Sequence, residues 1–162
     1  MSDIEKTIVT MARILLTDDP DEVESAKQNL RVLLRSVSAV AEDRRKKSMG
    51  EHIRELLFEM GAPDHLLGYQ YTIDAVTSVI EDPSRLNKVI YDLYPPLALK
   101  HNTAVASFDC AIRRLIDAVF ERGDIDILTG YFGSTIDPKK GRPTNSAFIA
   151  RVANIVKTRM AE

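Results

Sequence analysis

The sequence has a single cysteine, Cys110, and no apolar run that approaches the length of a transmembrane helix. One cysteine excludes an internal disulfide, and the missing run argues against a membrane span or a secretory signal. No sign of charge dominates, because the net charge is −2 and the isoelectric point about 6.0. A globally basic surface for nucleic acid is therefore excluded. We expect a cytoplasmic protein without a membrane partner, in which any nucleic-acid binding is local.

Constellations that carry enzyme chemistry are also missing. The sequence holds no glycine-rich phosphate loop, no nucleophile elbow and no paired-carboxylate signature. His52, His65 and His101 are scattered without metal-ligand spacing, so core or capping roles are favoured over ligation. We therefore predict that the protein is not an enzyme and takes no cofactor or metal.

No segment sustains period-2 alternation, whereas apolar residues recur at helical spacing, which predicts an all-α fold. Residues 1–47 are predicted to form a helical hairpin that mediates self-association, and residues 48–162 a second domain. Asp19-Pro20 provides a cap and a first-turn proline for the second hairpin helix, and the basic run 44–47 is interpreted as its solvated end. Its apolar residues form a short a/d seam, Val23, Ala26, Leu30, Leu33, Val37 and Val40. The first helix has its apolar face at Ile4, Ile8, Met11 and Leu15.

Residues 14–20, ILLTDDP, imitate the first strand and acidic pair of a phosphoacceptor receiver domain. A receiver requires roughly 120 residues of alternating strands and helices, and helical periodicity flanks this run on both sides. We interpret Asp18 and Asp19 as helix caps and expect no phosphoacceptor chemistry.

Residues 93–123 predict a helix-turn-helix. Pro95 and Pro96 suit the first turn of a short helix, Asn102 suits a left-handed break, and Thr103 can cap the helix that follows. The second helix should span about 104–122 and stop at Gly123. Its buried stripe is Val105, Phe108, Ile112, Leu115, Ile116 and Val119.

The opposite face of this helix carries Ser107, Cys110 and Arg114, with Asp109 and Arg113 on its flanks. In a DNA-binding helix-turn-helix the first turns of the second helix enter the major groove, so these five residues form the predicted base-reading set. The competing interpretation is an αα-hairpin with a solvated polar face, which is commoner.

A turn-rich basic loop at 134–143 precedes a last helix capped by Thr144 or Asn145. Residues 137–159 hold six basic side chains against one acidic one, a local positive field. The predicted phosphate-binding residues are Thr103, Lys139, Lys140 and Arg142.

Residues 49–160 resemble the C-terminal effector domain of stage-zero sporulation protein A, the DNA-binding part of a transcription factor that initiates sporulation. The specific pieces are GAPDHLLGYQY at 61–71, LYP at 93–95, AIR at 111–113, RGDID at 122–126 and PTNSAFIA at 143–150. The resemblance implies a six-helix effector domain with its recognition helix at the predicted place and a basic loop beside the DNA backbone.

Position by position, the resemblance implies Asp109 as the groove-reading acid, Arg113 as the inner arginine and Arg114 as the basic position after it. The family pattern has arginine where this chain has Ser107 and Cys110. Because arginine is the usual bidentate reader of guanine, we expect weaker binding or a changed sequence preference. An inert thiol is the competing interpretation of Cys110.

A helical extension stands where the family has its receiver, so we expect that aspartyl phosphorylation is not the switch. The favoured function is a sequence-specific transcription regulator that binds double-stranded DNA as a homodimer at the nucleoid, with RNA polymerase as a further partner. The alternative is a helical protein-interaction module that kept the fold but lost specific DNA binding.

Overall fold

The computed structural model describes residues 3–14, 16, 19–133, 136, 139 and 141–162. Within them the chain is all-α, as predicted, with seven α-helices and no strand. A 3₁₀ segment (Pro83–Lys88) and a π-helical turn (Val89–Leu93) lie between the third and fourth helices. The helices are α1 (Asp3–Ile14), α2 (Pro20–Glu59), α3 (Leu67–Glu81), α4 (Tyr94–Lys100), α5 (Val105–Arg122), α6 (Ile125–Phe132) and α7 (Asn145–Ala161).

The chain divides into two compact units, Met1–Arg45 and Lys46–Glu162. No helix in the described part is long and apolar enough to span a bilayer. The predicted boundary at residue 47 stays a prediction.

The predicted helix end at the basic run 44–47 was wrong, because α2 continues without a break to Glu59. Cations stabilise the last turn of a helix, but arginine and lysine are also good helix formers and do not stop one. Helix α2 ends where Gly61 adopts a φ of 73°. The amide of Gly61 donates to the Phe58 carbonyl (2.9 Å) and that of Ala62 to the Leu57 carbonyl (2.9 Å), the bonding of a Schellman closure.

The unit Met1–Arg45 is a helical hairpin with almost no core. Asp19 caps α2 by accepting from the Asp21 amide (3.0 Å), whereas Asp18 and Leu15 lie outside the described residues. Of the side chains described in this unit, that of Ala26 alone is buried. The predicted inner-face residue Ile8 and much of the predicted seam are exposed.

The core of the unit Lys46–Glu162 forms around α3, which packs against both α5 and α7. The buried face of α3 includes Ile73, Val76, Val79 and Ile80, and most of the predicted stripe of α5 is buried as well. Phe108 stacks on Tyr71 with ring centroids 4.5 Å apart, and Gly68 lets the two helices approach closely. A Cβ atom at Gly68 would lie 2.1 Å from the Ala111 carbonyl oxygen. This approach fixes where α5 lies and which face it exposes.

Candidate nucleic-acid interface

Helices α4 and α5 form a helix pair joined by a tight turn. Proline fills the first turn of α4 as predicted, and Asn102 takes the left-handed conformation with a φ of 50°. The backbone amide of Asn102 donates to the Leu99 carbonyl (3.1 Å), and the backbone amide of Thr103 donates to the Ala98 carbonyl (2.9 Å). The prediction that Thr103 caps α5 was wrong. Asn102 and Thr103 both take part in the closure that ends α4. The N-cap of α5 is therefore Ala104, which has no side chain that could accept a capping hydrogen bond.

Three of the five predicted base-reading residues face solvent. Ser107, Cys110 and Arg114 are exposed on the first three turns of α5. In the part of the chain that is described, Arg114 has no polar partner. These side chains are therefore accessible to a ligand that covers this face.

The other two, Asp109 and Arg113, are half-buried and held by the start of α7. The Asn145 amide nitrogen donates to the Asp109 carboxylate (2.7 Å) and to the Asp109 backbone carbonyl (3.0 Å). The Arg113 guanidinium donates to the Pro143 carbonyl (3.3 Å). The beginning of α7 thus fixes the orientation of both flanking residues.

Sequence reasoning missed this role of Asn145. Thr144 is the cap of α7, accepting from the Ala147 amide (3.2 Å), so Asn145 is released from capping and reaches α5 instead. Helical spacing within α5 or α7 cannot reveal a pair 36 residues apart. The only signal was the PTNS run at 143–146, which the family resemblance had singled out.

Tyr94 lies beneath this junction and is fully buried, with its ring centroid 5.3 Å from that of Phe108. Burial raises the pKa of the Tyr94 hydroxyl well above its usual range, so the group stays protonated. Above Tyr94 is an open depression of about 340 Å³, whose polar lining includes Asp109, Arg113 and Asn145.

The predicted phosphate-binding residues do not form one free basic patch. Arg142 lies against α5, where its Nε is 3.0 Å from the Asp117 carboxylate. Thr103 is half-buried in the turn and Lys139 is exposed. Lys140 lies outside the described residues.

Two other cations in the predicted positive field are also engaged within the protein. Arg151 donates to the Tyr131 carbonyl (2.5 Å). Arg159 binds Glu59 through both terminal nitrogens (3.0 and 2.8 Å), and the Tyr131 hydroxyl donates to the same carboxylate (2.5 Å). Two hydrogen bonds lower the pKa of Glu59, and the one from Arg159 has a larger effect than the one from Tyr131. The excess charge at 137–159 is therefore a smaller local field than the sequence suggested.

Two of the histidines have polar partners within the protein. His52 Nδ1 lies 2.8 Å from the Ser48 carbonyl, and His101 Nε2 lies 2.5 Å from the Asp74 carboxylate. Among the described residues, no three side chains of the metal-ligating types come together.

The fold and this surface define an all-helical module in which α4 and α5 form a helix pair and the outer face of α5 is accessible. The family described as "Sporulation initiation factor Spo0A C terminal" matches residues 53–156. The chain belongs to this family. The family is one of DNA-binding domains in transcription regulation and sporulation, and is not a family of enzymes. The resemblance stated from the sequence motifs is thus confirmed.

Proposed function

We propose that this protein is a sequence-specific DNA-binding transcription regulator whose helix α5 enters the major groove. The observation that carries the proposal is the exposure of Ser107, Cys110 and Arg114 on the first three turns of α5. A recognition helix contacts base edges with these turns. Two copies would read paired half-sites at the nucleoid, and regulation would follow from contact with RNA polymerase or from its exclusion.

Roles within the surface follow from what each side chain already contacts. Arg114 is the proposed principal reader, because its guanidinium is exposed and a bidentate contact to guanine is the commonest specific contact. Asp109 and Arg113 are proposed to contact bases from the edge of the groove, in orientations fixed by Asn145 and Pro143. Ser107 and Cys110 would complete the base-reading set, with smaller side chains than the family pattern has.

Phosphate contacts are proposed for Thr103, Lys139, Lys140 and Arg142. Arg142 would have to share its guanidinium between Asp117 and a phosphate oxygen. Lysine and arginine contacts to phosphate set affinity and salt dependence but carry no sequence information.

Selection of bound duplexes from a random pool tests the proposal, followed by variants on a selected and a scrambled duplex. Arg114→Ala should cost about 1–3 kcal/mol on the selected duplex and little on the scrambled one, because only base contacts carry sequence information. Glu121→Ala, an exposed residue near the end of α5, is the matched control and should leave both affinities unchanged. Lys139→Ala should weaken both duplexes alike and reduce the salt slope by about one.

Cys110→Arg restores the family residue and should strengthen binding or shift the selected sequence. The proposal fails if the wild type binds only weakly and without sequence preference, and neither Arg114→Ala nor Cys110→Arg alters that binding. The interaction-module alternative would then take its place, since it retains the fold without needing the reading face.

A further inference from the structure

The hairpin Met1–Arg45 exposes the apolar residues that a folded domain normally buries. Of its described side chains only that of Ala26 is buried, so hydrophobic burial contributes little to its stability. Eight large apolar side chains are exposed in it, namely Ile8, Val9, Leu16, Leu30, Val32, Leu34, Val37 and Val40. Exposed apolar residues at this density mark a surface that another protein covers.

Part of this surface is a continuous stripe along one side of α2. Its members are Leu30, Leu34, Val37, Val40 and Ala41, spaced by three or four residues apart from the adjacent final pair. Leu34 is 57% exposed, Val37 54% and Val40 55%. The stripe borders an open depression of about 560 Å³, lined by Ser36, Val37, Val40, Ala41 and Arg44. We call Leu30, Leu34, Val37, Val40 and Ala41 the α2 stripe.

The exposed apolar area of the whole hairpin is close to the apolar part of a standard protein interface. Complete burial of one large apolar side chain removes about 60–120 Å² from water. Eight such side chains, exposed by a little more than half on average, therefore present roughly 400 Å², about half of it on the four large side chains of the α2 stripe. A standard interface buries about 800 Å² per partner, a little over half of it apolar, or about 450 Å².

The charges along α2 indicate which partner and which orientation. Its first turns carry Asp21, Glu22 and Glu24, whereas residues 42–47 carry four basic side chains against Glu42 and Asp43 and are therefore net positive. In an antiparallel pair of α2 helices that cross near Leu34, the acidic start of one lies beside the basic end of the other. A parallel pair would instead place like charges together. A crossing point near residue 35 brings Leu30 opposite Val40 and Leu34 opposite Val37, within about one helical turn of the register that the charges favour.

We propose that the α2 stripe is the surface through which two copies of this chain associate, with their α2 helices antiparallel and crossing near Leu34. Each hairpin then buries the stripe of the other, and the acidic and basic ends pair. The use of this pairing to read two half-sites rests on the proposed function, whereas the pairing itself can be measured without DNA.

Sedimentation equilibrium of the full chain tests the pairing directly. The wild type should have twice the monomer mass of 18.2 kDa. Leu34→Glu and Val37→Glu, made singly, should each weaken self-association at least roughly 10-fold, because each places a charge in both halves of the symmetric contact. Both side chains are already more than half exposed, so circular dichroism should report an unchanged fold. Leu99→Glu, at an 81% exposed site in the other unit, is the matched control and should remain dimeric.

Charge reversal tests the orientation. Reversing Glu22 and Glu24 to Lys should weaken association by about 2- to 5-fold per lost pair at low salt, and so should reversing Arg44 and Arg45 to Glu. The combined reversal should restore the wild-type affinity, because opposite charges again face each other across the two copies. The two ends are about 33 Å apart along one helix, so rescue cannot arise within a chain.

A wild type that stays at 18.2 kDa at 100 µM (about 100-fold above a dissociation constant of 1 µM) would overturn the proposal and assign the stripe to a different partner. A dimer that Leu34→Glu and Val37→Glu leave as intact as Leu99→Glu does would also overturn it. Failure of the combined reversal to rescue would exclude the antiparallel register. DNA binding by the monomeric variants to a single half-site is a separate measurement, so failure of the DNA-binding proposal is recognised independently.

Discussion

Gly68 sets the spacing between α3 and α5, and its replacement by alanine should be strongly destabilising. The new Cβ would lie 2.1 Å from the Ala111 carbonyl oxygen, 2.8 Å from the Ala111 carbonyl carbon and 3.0 Å from the Leu115 Cβ, whereas ordinary contact begins at 3.4 Å. The nearest obstacles belong to the backbone of a helix, which cannot rotate away as a side chain can. The two helices must therefore separate by roughly 1 Å along this contact, which also opens the tightly packed core beside it.

Overpacking of a core costs typically about 1–3 kcal/mol, and an obstacle in a helix backbone places this site at the upper end. The gain from replacing a helical glycine, about 0.5–1 kcal/mol, offsets part of that cost. We expect Gly68→Ala to lower the free energy of unfolding by about 2–3 kcal/mol. Because α5 moves with its backbone, binding to the selected duplex should weaken as well.

Urea denaturation followed by circular dichroism measures this loss, provided that the m-value is unchanged. Gly130→Ala is the matched control, since it also replaces a helical glycine but its Cβ would meet no atom within 4 Å. It should be neutral or stabilise by up to about 1 kcal/mol. If the two variants unfold at the same urea concentration, the close approach of α3 and α5 is not a constraint on this fold.

Three further predictions concern the cap, the junction and the carboxylate cluster. Asp124→Ala removes the side chain that accepts from the amides of Asp126 (2.8 Å) and Ile127 (3.4 Å), and should cost about 1 kcal/mol of unfolding free energy; an unchanged urea midpoint would contradict it. Asn145→Ala leaves Asp109 without its amide partner and should cost about 1–3 kcal/mol, with a parallel loss of selected-duplex binding that a merely structural role elsewhere in α7 would not produce. The lowered pKa of Glu59 means that its contribution to stability is fully present above its ordinary value of 4.5 and is lost as the pH falls through the lower folded value. Glu59→Gln should therefore lose less stability between neutral pH and pH 3 than the wild type, and identical pH profiles would refute the linkage.

Features that depend on neighbours in sequence were predictable. The left-handed Asn102 and the cap at Asp19 each depend on a conformational preference expressed within about five residues. The buried stripe of α5 was predictable for the same reason, since a regular helix fixes which side chains share a face. The predicted cap at Thr103 was nevertheless wrong, because the backbone amide of Thr103 takes part in the turn and the N-cap of α5 is the next residue, Ala104.

The unbroken course of α2 was not predictable from its charges. A basic run is compatible with a helix end, but a stop requires a residue that leaves the helical conformation, and no proline occurs between Pro20 and Gly61. The hairpin seam was over-interpreted in a related way. Helical periodicity shows which residues share a face, but whether the face is buried depends on a partner that the pattern does not supply.

Contacts between distant residues limited the prediction of the site. Arg142 was interpreted as a phosphate ligand from its place in a basic loop, yet it lies 3.0 Å from Asp117, 25 residues away in sequence. Asp109 and Arg113 were predicted on the flanks of the outer face of α5, and the structure adds that they are half-buried and tethered to Asn145 and Pro143. Net charge over a segment counts cations without showing which of them are already paired, and this is why residues 137–159 looked more favourable for DNA than they are.

The distribution of tethered and free side chains on α5 bears on how DNA could be read without the family arginines at Ser107 and Cys110. Arg113 is half-buried and held at the Pro143 carbonyl, so Arg114 is the exposed guanidinium on the first three turns. One good bidentate contact supplies only about 1–3 kcal/mol of discrimination, well below the several kcal/mol that separate specific from non-specific binding. Joining two copies sums this discrimination over two half-sites and raises the effective concentration of the second reader. Under the proposed function, a reading helix with fewer arginines and the proposed pairing surface are therefore complementary, and loss of pairing through Leu34→Glu should reduce specificity more than it reduces affinity for random DNA.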